Sequence, residues 1–330
     1  MQLSHDNGST VRRWAAAAVL ALASAVLMYA PNPVYAVDWQ ATTGAQSEDQ
    51  GIQALAFLPI ELTVNVGDSI TWTFPTDEIH TLSFLCPTPP GSCTPTGRPP
   101  FATAPVTSDN FVYHGTEFVN SGTLVGGASY TVDFATPGTF SYVCLVHGQM
   151  KGTVHVNGVG TPYPFNQTAY DQQAQQQSRQ LLGQGRQMKA NEMQAAVAGA
   201  GHDQVTVGRG FVTVTSGGAQ SVLIARFLPP SLEIQAGDTV TWTALDPATP
   251  HTVTFGPEPV NPFPPAGLDG PGHATINSPT QAVNSGFMGV GPGRPGGTQL
   301  SVTFTQPGTY AYICALHDDL GMAGTVIVRP

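Results

Sequence analysis

The sequence predicts an all-β protein made of two tandem β-sandwiches, and three observations support this fold class. The 330 residues include 37 glycines and 29 prolines, which is typical of many short strands separated by turns. Most of the chain consists of an internal repeat: Phe57-Leu58-Pro59 recurs as Phe227-Leu228-Pro229, and other motifs recur at the same offset of 170 residues. Within each copy, apolar and polar residues alternate with the period of two that half-buried strands show.

Charged residues are scarce and mostly acidic. They form 10% of the chain, against about 25% in ordinary soluble domains, and the formal net charge is −10. Proteins that bind nucleic acid need a basic surface to neutralise phosphates, and this chain has only 11 lysines and arginines. The composition therefore excludes DNA and RNA binding from the expected functions.

Residues 1–36 are interpreted as a signal peptide that is cleaved after Ala36. The basic pair Arg12-Arg13 precedes an apolar run over residues 15–30, and Val34-Tyr35-Ala36 fits a cleavage site. The segment around the arginine pair loosely resembles a twin-arginine signal. An uncleaved anchor is the less favoured alternative, because the run is short for a membrane span of about 20 residues. We expect export to the periplasm or the cell exterior, and no membrane span in the mature chain.

Glycine, tryptophan, histidine and cysteine residues of the first copy recur at matching positions in the second. Their offset stays at 170 or 171 over about 90 residues, a length that indicates a duplicated domain. The matched positions are Gly67-Asp68 with Gly237-Asp238, Trp72 with Trp242, His80 with His251, and Cys144 with Cys314.

Each copy is predicted to fold as one antiparallel β-sandwich, over residues 37–158 and 204–330. In the first copy Ile60, Leu62 and Val64 alternate with polar residues, which is the pattern of a strand with one buried face. The second copy repeats this alternation at the matched positions.

A long insertion rich in proline and glycine interrupts each copy, over residues 85–128 and 256–297. We expect both insertions to form irregular surface loops. Cys86 and Cys93 flank a short polar stretch in the first insertion. An exported protein permits a disulfide between them.

The connector, residues 159–203, differs from both copies. A helix is expected over residues 168–198, which lack proline and are rich in glutamine and alanine, and Thr168 with Asp171 could form a capping box. Small or apolar side chains recur there every seven residues: Ala174, Leu181, Met188 and Ala195. Two glycines weaken the middle of this segment, so a flexible glutamine-rich linker is the alternative.

A set of potential metal ligands occurs once in each copy. A cysteine, a histidine and a methionine lie close together near the end, and a second histidine precedes them by more than 60 residues: His80, Cys144, His147 and Met150, and then His251, Cys314, His317 and Met322. One thiolate, two imidazoles and a weak thioether match the trigonal copper site with a long axial methionine. Structural core cysteines and a zinc site are the alternatives, but the repetition of the whole set favours copper.

On these motifs both copies resemble cupredoxins, the blue-copper family that includes plastocyanin, amicyanin and pseudoazurin. The resemblance implies two Greek-key β-sandwiches with two type 1 copper ions, one held by each four-residue set. The two-residue gap before Met150 is amicyanin-like, and the four-residue gap before Met322 is plastocyanin-like. Family members commonly have asparagine after the first histidine, whereas Thr81 and Thr252 stand here. This departure puts a hydrogen bond between the two ligand loops in question.

The resemblance implies an electron carrier rather than an enzyme. Copper nitrite reductases and laccase-like oxidases connect a second copper centre through a histidine beside the blue-copper cysteine, and neither Cys144 nor Cys314 has such a neighbour. Two alternatives remain. One is a nitrite-reductase-like enzyme with an interdomain catalytic copper, and the other is an exported copper-buffering protein.

Redox proteins are the expected partners. Because His147 and His317 belong to end loops, we expect their edges to meet those partners. The acidic pair Asp318-Asp319 could steer a cationic partner such as a cytochrome. Two further histidines in the insertions could together hold an interdomain metal, although surface residues are the simpler interpretation: His114 and His273.

Overall fold

The computed structural model divides the chain into two units, residues 1–35 and 36–330. Apart from Gln2, the residues it describes are 35–84, 107–198, 203–259, 272–290 and 297–330. The predicted cysteine pair Cys86–Cys93 lies outside the described residues, and so does nearly all of the predicted signal peptide. No helix of the described residues is both long and apolar enough to span a membrane.

The first repeat forms two sheets that pack face to face. Among the described residues it has ten strands: β1 (Asp38–Gln46), β2 (Ile52–Leu58), β3 (Glu61–Asn65), β4 (Ser69–Phe74), β5 (Ser83–Phe84), β6 (Phe111–Tyr113), β7 (Val119–Asn120), β8 (Ala128–Phe134), β9 (Gly138–Val143) and β10 (Lys151–Asn157). One sheet has the order β2-β1-β4-β8-β6, and the other has the order β3-β10-β9-β5-β7. Strands β1 and β4, and likewise β3 and β10, pair in parallel.

The second repeat reproduces this topology strand for strand. Its strands are β11 (Gln204–Thr215), β12 (Gly218–Leu228), β13 (Ser231–Gln235), β14 (Thr239–Thr243), β15 (Thr254–Phe255), β16 (His273–Ile276), β17 (Val283–Asn284), β18 (Gln299–Phe304), β19 (Gly308–Ile313) and β20 (Ala323–Arg329). The sheet orders are β12-β11-β14-β18-β16 and β13-β20-β19-β15-β17. The prediction of two tandem cupredoxin-like β-sandwiches is confirmed.

Large aromatic side chains fill the space between the two sheets of each sandwich. Trp72 and Trp242 are both fully buried. The ring of Trp72 meets the edge of Tyr142 at 5.3 Å between centroids, and Trp242 meets Tyr312 in the same way at 5.2 Å. The matched tryptophans of the sequence therefore occupy equivalent core positions, next to the strands that precede the two candidate cysteines.

The two sandwiches share a continuous sheet. Strand β2 pairs with β12 in antiparallel register, with Ile52 opposite Ile224 and Leu55 opposite Ser221. Because β2 and β12 are the edge strands of their own sheets, this pairing joins the two domains by backbone hydrogen bonds. The sequence does not predict this junction.

The connector forms helix α1 (Gln167–Ala198), as expected, and the flexible-linker alternative is wrong. The side chain of Asn166, and not a Thr168–Asp171 box, caps its first turn by accepting a hydrogen bond from the N–H of Ala169 at 2.9 Å. One buried leucine, Leu181, lies against β2 and β12, the two strands at the domain junction, and four partly buried apolar residues of the helix pack beside it: Ala174, Leu182, Met188 and Met193. Ala195, the last of the predicted series, is exposed.

Gly185, one of the two mid-helix glycines, lies at the point of closest approach to the sheet. A Cβ there would come within 2.5 Å of Ile52 and 2.9 Å of Val222. This glycine therefore lets the helix approach the sheet closely, which offsets its low helix propensity.

Candidate metal centres

The loop between β9 and β10 carries three of the four candidate ligands of the first domain. Cys144 directly follows β9, and its N–H donates to the carbonyl of Met150 at 3.0 Å, while the Met150 N–H donates to the carbonyl of His147 at 3.0 Å. His80 lies in the segment between β4 and β5, where its backbone pairs with that of Leu124. Its side chain approaches Cys144 and His147. Topology thus brings His80 to a loop more than 60 residues away.

The donor atoms of the first domain converge. The Nδ1 atoms of His80 and His147 lie 3.2 Å apart, and the Sγ of Cys144 lies 3.6 Å from the Nδ1 of His147. All three potential ligand atoms lie within 4.8 Å of one another. Met150 is fully buried at the end of the same loop.

The second domain repeats this cluster with a longer loop. The Sγ of Cys314 lies 3.3 Å from the Nδ1 of His317 and 3.9 Å from the Nδ1 of His251. A 3₁₀ turn, Asp318–Leu320, takes up the extra residues before Met322. Met322 is also fully buried, and its carbonyl accepts the N–H of Cys314 at 3.0 Å.

In both domains the surroundings of the cysteine favour the thiolate over the thiol. Burial raises the pKa of the Cys144 thiol, but the imidazoles of His147 and His80 lower it further, and the resulting pKa is well below the ordinary value. The same balance, with His317 and His251, holds the pKa of Cys314 well below its usual range. The thiolate is the form that binds metals, so each site favours a soft cation.

The threonines in place of the family asparagine form the loop-to-loop hydrogen bond that the sequence left in question. The N–H of Leu145 donates to Thr81 Oγ1 at 2.8 Å, and the N–H of Ala315 donates to Thr252 Oγ1 at 2.8 Å. In addition, the N–H of Thr81 donates to the Sγ of Cys144 at 3.4 Å. Each threonine therefore ties the upstream histidine to the cysteine loop.

A buried carboxylate contacts one candidate ligand histidine in each domain, and neither carboxylate is among the residues predicted from the sequence. Glu78 Oε1 lies 3.1 Å from the Nε2 of His147, and Asp246 Oδ2 lies 3.5 Å from the Nε2 of His251. Burial raises the pKa of Glu78, but its hydrogen bond with His147 and the charges of nearby imidazoles bring that pKa down to about 2. Acidic residues shortly before His80 and His251, in a chain with so little charge, were the available signal.

The loop histidines are less accessible than the sequence suggested. His147 is 3% exposed and His317 is 4% exposed, so neither ring presents an open edge to solvent. In the first domain the reason is visible, because Glu78 is itself buried and its carboxylate lies against the outer nitrogen of His147.

The two histidines of the insertions, both among the described residues, do not join these sites. His114 follows β6 and pairs with Glu117 at 3.0 Å, while His273 begins β16. These two strands lie at opposite ends of the ten-strand order that runs through both domains. The structure therefore separates the two histidines, and the suggested interdomain metal site between them is wrong.

The donor chemistry of both clusters fits copper. A thiolate suits Cu(I), imidazoles also suit Cu(II), and a buried thioether can complete the set. A sequence profile of copper binding proteins, the plastocyanin/azurin family, matches residues 45–157 and 212–329. The chain belongs to this family. Copper is accordingly its cofactor, with one candidate site in each cupredoxin domain.

Individual relatives match about one domain of the chain. A plastocyanin of Scenedesmus fuscus is 33% identical over 118 residues, which are 36% of this chain and 99% of that protein. A plastocyanin of Prochlorothrix hollandica is 33% identical over 31% of this chain and 61% of its own length. Amicyanin-alpha of Methylorubrum extorquens is 33% identical over 34% of this chain and 73% of its own length.

Among solved structures, plastocyanins and amicyanins match a similar share of the chain. An oxidised plastocyanin from Dryopteris crassirhizoma is 21% identical and covers 38% of this chain and 99% of its own, with a TM-score of 0.24.

Proposed function

We propose that this protein is an exported electron carrier with two type 1 copper sites, one in each domain, that shuttles single electrons between redox partners. The observation that carries the proposal is the pair of buried Cys/His/His clusters, each with a buried methionine at the end of the same loop. The proposed ligands are His80, Cys144, His147 and Met150 in the first domain, and His251, Cys314, His317 and Met322 in the second.

Copper bound at these residues would supply a one-electron Cu(II)/Cu(I) couple. Hydrogen bonds within the chain hold the segments that carry the proposed ligands in place. Thr81 and Thr252 hold the histidine and cysteine segments together, and the backbone bonds of each loop fix the methionine. Since fixed ligands move little when the metal changes its charge, this arrangement supports rapid electron transfer.

Two other functions remain as alternatives. A nitrite-reductase-like enzyme needs a further catalytic copper, and the absence of histidine beside Cys144 and Cys314 removes its usual connection. A copper-buffering protein needs no redox cycling, whereas a site with one thiolate and a methionine suits both oxidation states. Both features favour the carrier.

A copper-loading experiment tests the carrier against these alternatives. We expect two coppers per mature chain, intense blue absorption, type 1 EPR signals, reversible reduction and no turnover of nitrite. Absent blue colour would contradict the proposal, and nitrite turnover with an axial copper signal would favour the enzyme. Mass analysis of protein recovered from the exported fraction tests the leader, with Val37 expected as the first residue.

For partner docking we propose the acidic surface beside the second copper loop. Asp318 and Asp319 directly follow His317, and the charge of Asp318 raises the pKa of Glu258, with burial and the charge of Asp319 adding to the effect. A cationic redox partner would be attracted to this surface. The rate of electron transfer to such a partner should fall as salt rises, and the Asp318→Asn/Asp319→Asn variant should weaken that dependence. A rate that does not respond to ionic strength would overturn the docking proposal.

A further inference from the structure

Glu78 is a carboxylate in an unusual place. It is 7% exposed, and its Oε1 lies 3.1 Å from the Nε2 of His147, the ring nitrogen opposite the one that faces Cys144. Acidic residues are almost never fully buried unless they are paired. An anion at this spot is therefore held by the ligand histidine itself, and the two groups are coupled.

The contact fixes which nitrogen of His147 is free for a metal. When Glu78 accepts a hydrogen bond from the Nε2–H, the proton is placed on Nε2 and Nδ1 keeps its lone pair. That Nδ1 is the atom that lies 3.2 Å from the Nδ1 of His80 and 3.6 Å from Sγ. Carboxylates that accept the outer N–H of a ligand histidine orient the ring and increase its basicity.

The second domain also has a contact between a carboxylate and a histidine, but it is longer and involves the upstream histidine. Asp246 contacts the Nε2 of His251 at the longer distance of 3.5 Å. Its other oxygen accepts the N–H groups of Ala248 and Thr249, both at 2.8 Å. The charge of Asp246 is thus shared among three donors, whereas the hydrogen bond of the Glu78 carboxylate is made to a ligand imidazole.

We propose that Glu78 is a positioning residue that orients His147 and lowers the reduction potential of the first copper, so that the two copper centres of one chain have different potentials. This inference rests on the proposed copper electron-transfer function. The reduction potential is expected to fall, because a nearby anion stabilises Cu(II) more than Cu(I). A more basic imidazole acts in the same direction, since it also favours the more highly charged ion.

The test uses the full chain with one copper silenced. In a Cys314→Ser background, which leaves a single blue centre, the potential is measured for the parent, for Glu78→Gln and for Asp77→Asn. Asp77 is the matched control, because it is exposed and its carboxylate is bonded to Gln46 and Gln50 rather than to a ligand. A second readout is solvent exchange of the His147 Nε2–H in the diamagnetic Cu(I) form.

Glu78→Gln should raise the Cu(I)/Cu(II) ratio at fixed potential at least tenfold, equal to about 59 mV for a one-electron couple, and should speed exchange of the Nε2–H. Asp77→Asn should do neither. Equal potentials in the two variants would overturn the inference. If Glu78→Gln fails to hold copper, Glu78→Asp decides, since an intermediate rise supports the inference and an unchanged potential overturns it. A parent without a blue copper signal would instead refute the proposed function.

Discussion

The two candidate metal centres of this chain have the same set of potential ligands but differ in the groups that surround them. Both have a cysteine, two histidines and a methionine in the same topological places, with the same threonine bond between loops. In the first, a buried glutamate contacts the loop histidine His147, while in the second a buried aspartate contacts the upstream histidine His251. After duplication the donors were kept, and the groups that contact their outer nitrogens diverged.

The largest expected effect comes from removal of one thiolate at a time. Cys144→Ser and Cys314→Ser should each abolish one blue centre and leave the other, because each cluster is built from residues of a single domain. The measurement is copper content together with visible absorption, with the double variant as the colourless limit. Loss of both centres from either single change would show that the sites are not independent.

Next in size are two glycines that lie against the upstream histidines. Gly44 and Gly208 both have positive φ, at +80° and +61°. A Cβ on Gly44 would come within 2.7 Å of the Nε2 of His80, and a Cβ on Gly208 would overlap the ring of His251 more severely. We expect alanine at either position to destabilise its domain by about 1–3 kcal/mol from backbone strain alone, with more from the clash and the larger loss at Gly208.

Gly67 provides the control for that comparison. Its φ is +95°, and nothing lies within 4 Å of the place of its Cβ. Gly67→Ala therefore measures the cost of backbone strain without a clash, by thermal unfolding of the metal-free protein. Equal losses at all three glycines would show that contact with the histidine rings is not what requires glycine.

The smallest effect concerns the threonine bonds. Thr81→Val and Thr252→Val keep the shape but remove the acceptor for the N–H of Leu145 and of Ala315. An unpaired buried N–H costs about 1–3 kcal/mol, and Ala315 is buried whereas Leu145 is only half-buried. Thr252→Val should therefore lower the free energy of unfolding more than Thr81→Val does. Denaturant unfolding checks this order, and a larger loss for Thr81→Val would contradict it.

The sequence was sufficient for the fold and for the cysteines and histidines that converge in each candidate site, but not for the groups that surround them. The duplicated strands and the Cys–His–Met loops are local patterns, so composition, alternation and spacing reveal them. Glu78 and Asp246 were missed because an acidic residue looks the same in a sequence whether it is solvated or buried. The burial of His147 and His317 was missed for a related reason, since it depends on how distant segments pack.

The connector was likewise predicted only in part, because some of its features depend on tertiary contacts. Residue composition predicted helix α1, but the role of Gly185 and the true cap at Asn166 depend on contacts that only the folded chain makes. The glycine that appeared to weaken the helix is what lets it lie close to Ile52 and Val222.

The pairing of β2 with β12 has a consequence for how the chain folds. An isolated domain would expose a long strand edge, and exposed edges invite association with other chains. The helix that covers this seam contacts both strands through Leu181 and its apolar neighbours, so neither sandwich can complete its surface alone. We therefore expect the two domains to unfold in one cooperative transition rather than separately.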